Sequence, residues 1–108
     1  MKIKDFLVGK NAKAIKPEVE SAIVSAAKEN KISIRSILEA KEIVVVYYNF
    51  GENAKEGFIA DKNEIFKKLN PIVLDILADF DYEIKQSLRS NYDTNVGSII
   101  YFLDDKTK

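Results

Sequence analysis

Apolar and polar positions alternate with two different periods along this chain, and the longest unbroken apolar run lies at its centre. The segment 42–50 reads Glu-Ile-Val-Val-Val-Tyr-Tyr-Asn-Phe and is dense in β-branched and aromatic residues, which predicts a strand over 43–50. Ile43, Val45 and Tyr47 would share one face, and Val44, Val46, Tyr48 and Phe50 the other. Neither face is polar, so both need cover, from helices or from another molecule.

Helical periodicity flanks this run on both sides. Pro17 suits the first helical position, Glu18 and Glu20 match the positive end of a helix dipole, and Val19, Ala22, Ile23, Ala26 and Ala27 recur on one stripe. Lys28, Lys31 and Asn30 close the pattern, which predicts a helix over 17–30. Asp61 is a candidate N-cap paired with Glu64, opening a helix over 62–69 whose buried side is Ile65, Phe66 and Leu69. Asn70-Pro71 should break it. A second helix over 71–90 would then carry Ile72, Val73, Ile76, Leu77, Phe80, Ile84 and Leu88 as the lid of the sheet. Segments 57–60 and 98–104 read as strands. Residues 1–16 suggest a short strand or helical turn followed by a loop, and 105–108 a fraying tail.

The expected fold is α+β. A small, mostly antiparallel sheet with strands near 32–38, 43–50, 57–60 and 98–104 would be covered by helices near 17–30, 62–69 and 71–90, all in one domain spanning 1–108. Residues 32–41 fit two periods. With period two, Ile32 and Ile34 point inward and the segment is a strand; with period 3.6, Ser33 caps a short helix lined by Ile34, Ile37, Leu38 and Lys41.

The helical version has a functional consequence. Ala27, the Asn30-Lys31 turn, Ile32-Ser33 and Ile37 follow the small, turn, apolar, apolar spacing of a helix-turn-helix, with 42–50 and 57–60 as the strands of a wing. Ser33, Arg35, Ser36 and Lys41 would then face nucleic acid, helped by the Lys-rich start. Against this, Lys31 stands where a turn glycine is usual, and the wing turn places its one Lys between two Glu. Few phosphates could be neutralised.

Charge sharpens the picture only a little. The net charge is zero, but residues 1–41 hold nine basic and five acidic side chains while 42–108 hold eight and twelve. Such an asymmetry suits an acidic surface for a basic partner, or head-to-tail association of copies. The absence of cysteine removes disulfides and thiolate chemistry and suits a reducing compartment. The sequence shows neither an apolar leader after Met1 nor a run of the ~20 apolar residues that a membrane span requires, so a cytoplasmic location is expected. High Lys, Asn and Ile content without Trp, His or Cys fits an AT-rich genome, bacterial or phage.

Without histidine or cysteine, the usual neutral-pH base, the thiolate nucleophile and most zinc sites are excluded. Glu39-Ala40-Lys41 matches half of a Glu-x-Lys nuclease motif, but no aspartate precedes it on a strand to complete a metal pair. Asp79, Asp81 and Glu83 match the first ligands of a calcium loop, but Ile84 stands at the obligatory glycine position. No metal or cofactor is expected, and no enzyme activity. Asp75, Asp79 and Glu83 recur at i, i+4 and i+8 of the predicted long helix with Tyr82 beside them, a stripe suited to a basic protein. The expectation is a protein-binding module acting by surface complementarity: an inhibitor, an immunity or counter-defence factor, or an assembly subunit. The alternatives are a winged helix-turn-helix DNA-binding regulator and a homo-oligomeric subunit that pairs through an exposed strand edge.

Overall fold

The structure, a computed structural model, describes residues 12–104. Expectations for the Lys-rich start up to residue 11 and for the tail 105–108 lie outside the described residues. In chain order the elements are β1 (Lys13–Ala14), α1 (Pro17–Glu29), β2 (Ser33–Glu39), β3 (Ile43–Asn49), a 3-10 turn (Gly51–Asn53), α2 (Lys62–Asp79), β4 (Ile84–Asp93) and β5 (Val96–Leu103). The five strands form one antiparallel sheet in the order β1-β2-β3-β5-β4, which puts β3, the apolar run, at its centre.

Both helices lie on the same face of the sheet. Val19, Ile23 and Ala27 of α1 and Ile65, Leu69, Val73 and Leu77 of α2 are buried in one core with Ile37, Val44, Val46, Tyr48, Ile99 and Tyr101. The alternation of β3 decides this division, since Val44, Val46 and Tyr48 point toward the helices. Ile43, Val45 and Tyr47 point the other way and form a second buried cluster with Val96 and Ile100, against which Leu38, Ala40, Tyr92 and Phe102 pack. The α+β class is therefore as the pattern predicted. No helix among the described residues is long and apolar enough to cross a membrane.

The strand expected near 32–38 is present, and three other elements differ from the sequence expectation. Residues 33–39 are strand, so the helix-turn-helix alternative loses its second helix, and the cross-strand pairs Ile37 with Val46 and Leu38 with Val45 show why: the segment completes the sheet beside β3. Residues 57–60 do not pair as a strand. Gly57 adopts φ 88°, and the segment is tied by isolated backbone bonds, from Phe58 N–H to the Lys55 carbonyl, from Ile59 N–H to the Lys31 carbonyl and from Gly51 N–H to the Ala60 carbonyl, while Ile59 packs against the main core.

The helix predicted to break at Asn70-Pro71 runs through it as one element, and the helix predicted to reach residue 90 ends at Asp79. Pro71 sits on the exposed side while Leu69 and Val73 hold the helix to the core on either side of it, so the hydrogen bond it forfeits is on the wet face. Beyond Asp79 the Tyr82 N–H donates to the Leu77 carbonyl and the Asp81 N–H to the Ala78 carbonyl, with Asp81 at φ 71°. This is a Schellman stop with aspartate in the position usually held by glycine. α1 ends the same way, through Ile32 to Ala27 and Lys31 to Lys28, with Lys31 at φ 63°. The N-terminal end of α2 is as expected: the Asp61 carboxylate accepts from the N–H groups of Asn63 (2.8 Å) and Glu64 (3.4 Å). Glu64 itself turns to Lys68, at 3.6 Å.

Candidate functional site

Because α2 stops at Asp79, the four predicted partner-binding residues do not form one stripe. Asp75 and Asp79 are exposed on the last two turns of α2. Tyr82 lies past the helix stop and turns its ring against the main core, half-buried. Glu83 is exposed at the approach to β4, its carbonyl accepting from the Asp104 N–H at 2.7 Å.

What gathers at this end of the fold is a wider set of carboxylates than the sequence indicated. The Tyr82 hydroxyl donates toward both oxygens of Glu39, at 3.4 Å each, and Glu39 closes the far end of β2. Burial first, then the charge of Glu39 and its hydrogen bond, and finally the charge of Glu18 push the Tyr82 hydroxyl up to about 12. Glu18 belongs to the first turn of α1. Tyr82 thus marks the place where the start of α1, the end of β2 and the end of α2 converge, bringing Glu18 and Glu39 near the Asp79–Asp81 segment. Neither Glu18 nor Glu39 was legible as a site residue, because the sequence separates them from Tyr82 by 64 and 43 positions and only the packing of α1 and β2 brings them together.

Asp75 and Asp79 have no basic neighbour along α2. The last turn of α2 has no basic residue, although its C-terminal carbonyls favour one, and Asp79 sits there instead. Residues three and four before Asp75 are Ile72 and Pro71, and those before Asp79 are Ile76 and Asp75, so no lysine stands at helical pairing distance. Lys13 is across from Glu39 in the β1–β2 register, and Lys68 pairs with Glu64 at 3.6 Å on the first turns of α2. No three of the described carboxylates come close enough together to hold a metal ion. The arrangement offers distributed negative potential rather than a chelating site.

The residues considered for nucleic acid are scattered by β2. Ser33 is buried and its hydroxyl accepts from Asn49 Nδ2 at 3.0 Å. Arg35 is exposed at a bulge where the β2–β3 register shifts between Ile34 and Ser36. Ser36 lies across from Tyr47, on the face away from the helices. Lys41 is in the β2–β3 turn, beside a shallow cleft of about 420 Å³ lined also by Lys85, Ile43 and Phe102. Arg35 and Lys41 are six positions apart, with the four strand residues 36–39 and Ala40 between them.

A buried polar pair elsewhere in the fold serves packing. Tyr101 donates to Asn70 Oδ1 at 2.8 Å across the sheet–helix interface, and burial, with Tyr48 nearby, holds its ionisation far above the usual range. The Tyr48 hydroxyl is buried without a hydrogen-bond partner. Burial raises its pKa, and the Arg89 guanidinium partly counteracts this electrostatically without closing a well-formed hydrogen bond. Compared with known protein families, curated proteins and solved structures, the chain matches none.

Proposed function

We propose that the protein is a non-catalytic binding module of the cytoplasm that docks a basic partner protein on the acidic end of the fold. The observation that supports this reading is the acidic end of α2, whose last turn carries no basic residue: Asp75, Asp79 and Asp81 are exposed there, and Tyr82 draws Glu39 and Glu18 close to the same end. Placing Asp79 at the negative end of a helix dipole opposes folding slightly, and a partner that supplies lysine or arginine relieves that strain on binding. Such a surface accelerates encounter with a basic protein by electrostatic steering, and binding weakens as salt rises.

The test is capture from the native host lysate, with nuclease, comparing the tagged wild type with Asp75→Lys/Asp79→Lys. Both positions are exposed, so the fold should survive the exchange, and circular dichroism checks that it does. A stoichiometric protein recovered by the wild type and lost by the variant supports the reading. Equal recovery by both removes the acidic end from the interface. A winged-helix mode of DNA binding has lost its recognition helix; any nucleic-acid contact would have to use Arg35 and Lys41 singly, and replacing both with Ala tests it through the salt dependence of duplex binding.

A further inference from the structure

β4 is the last strand in the sheet order, and among the described residues it pairs on one side only, with β5. From Gln86 to Asn91 its register with β5 is uninterrupted, with shifts confined to the two ends. This stretch lacks the usual defences of an edge. It has no proline, and Arg89, its single charged residue, is drawn toward α2, its guanidinium 4.7 Å from the centre of the Phe66 ring and bonded to Asn63 Oδ1. The opposite edge is defended: β1 is two residues long with Pro17 close behind, and β2 beyond it carries a bulge at the exposed Arg35.

A row of apolar side chains crosses the sheet on the face away from the helices. The registers place Ala14, Leu38, Val45, Ile100 and Leu88 directly beside one another on β1, β2, β3, β5 and β4. Val45 and Ile100 are each 2% exposed, whereas Leu88 is 46% exposed. The row therefore ends at the open edge on an uncovered leucine.

We infer that β4 pairs antiparallel with β4 of a second copy of this chain, with Leu88 on the twofold axis. An antiparallel pair of identical strands has its axis perpendicular to the sheet, so residues that face one another must point to the same side and the axis passes through a residue. With Arg89 on the axis, two guanidinium groups would oppose one another directly, which is unfavourable, and both are already engaged with α2. With Ser87 on the axis, Lys85 would oppose Arg89. With Leu88 on the axis, leucine meets leucine and prolongs the apolar row, Gln86 faces Ser90, Ser87 faces Arg89, and no like charges are opposed over 86–90. The pairing joins two five-stranded sheets into one of ten, with the helices of both copies on one side. It uses a surface separate from the acidic end of α2 and stands independently of that reading.

Sedimentation equilibrium of the full chain over increasing concentration should give a mass rising toward twice that of the monomer. Leu88→Lys places two lysines on the axis and should hold the protein monomeric at every concentration with an unchanged circular dichroism spectrum, because Leu88 is not part of either buried core. Cysteine pairs report the register, since the chain has none of its own. Leu88→Cys should cross-link to itself on mild oxidation, because facing Cα atoms in an antiparallel pair are about 4.5–5.5 Å apart, within disulfide reach. Gln86→Cys alone should not cross-link, but mixed with Ser90→Cys it should. A wild type that stays monomeric, or a dimer that persists unchanged in Leu88→Lys, overturns the inference. Asp75→Lys/Asp79→Lys should dimerise as the wild type does, so loss of partner capture and loss of self-pairing can be told apart.

Discussion

Gly97 of β5 lies directly across from Tyr48 of β3, and a Cβ at Gly97 would come within 2.6 Å of Tyr48 Cε1. The glycine is what lets the fully buried Tyr48 ring lie over the sheet beneath α2. Gly97→Ala should therefore destabilise the fold by about 1–3 kcal/mol through overpacking, read as a lower urea midpoint. Shrinking the opposing ring should relieve it. The double variant Gly97→Ala/Tyr48→Val should lose clearly less than the sum of the two single changes, because the two sites share one space. Strict additivity would show that the contact is not what constrains residue 97.

The two buried tyrosines of the main core should respond oppositely to loss of their hydroxyls. Tyr101→Phe removes the bond to Asn70 and should lower stability by about 0.5–1.5 kcal/mol. Tyr48→Phe removes a buried hydroxyl with no partner and should be neutral or raise stability by up to about 1 kcal/mol. Denaturant melts of the two variants side by side decide the matter, and equal losses would contradict the assignment of partners.

Alkaline pH should weaken the fold through the same kind of side chain. Unfolded tyrosines ionise near pH 10, whereas Tyr48, Tyr82 and Tyr101 hold their protons to higher pH in the folded chain, Tyr82 to about 12. Above pH 10 the folded state then binds more protons than the unfolded state, so stability is complete below pH 10 and falls as pH rises, for Tyr82 until about pH 12. Tyrosinate absorbance should show these hydroxyls lagging in the native protein and catching up in denaturant. Glu39→Gln should bring Tyr82 part of the way down, since burial is the larger cause. Simultaneous ionisation of all tyrosines near pH 10 in the folded protein would contradict this.

Both helices stop on a non-glycine residue in the left-handed region, Lys31 at φ 63° and Asp81 at φ 71°. Lys31→Gly and Asp81→Gly should each stabilise by on the order of 1 kcal/mol, because glycine adopts that conformation without the Cβ clash. A drop in thermal midpoint for both would show that the side chains, and not the backbone, hold these stops.

These two stops also explain what the sequence did and did not disclose. The strand at β3, the helix after Pro17 and the Asp61 cap were legible because each rests on a local pattern: a β-branched run, a proline with a small-residue stripe, a carboxylate ahead of an apolar face. Asp81 hid the end of α2. Phe80, Ile84 and Leu88 keep a four-residue spacing that continues the helical stripe, and only glycine at 81 would announce the stop, so the spacing predicts helix where the strand 84–93 forms. Pro71 misled in the other direction, since its fault falls on the wet side of a helix held by Leu69 and Val73. At the candidate site Asp75 and Asp79 were legible from helical spacing, whereas Glu18 and Glu39 reach Tyr82 only through tertiary packing.

Hydrogen exchange of the captured complex against the free protein locates the docked partner on the fold. The acidic-end account predicts slowed exchange concentrated in the amides of residues 75–83 and in the first turn of α1, where Glu18 lies, fading as salt is raised. Unchanged exchange there, with protection instead along residues 33–41 or across β4 alone, would contradict it.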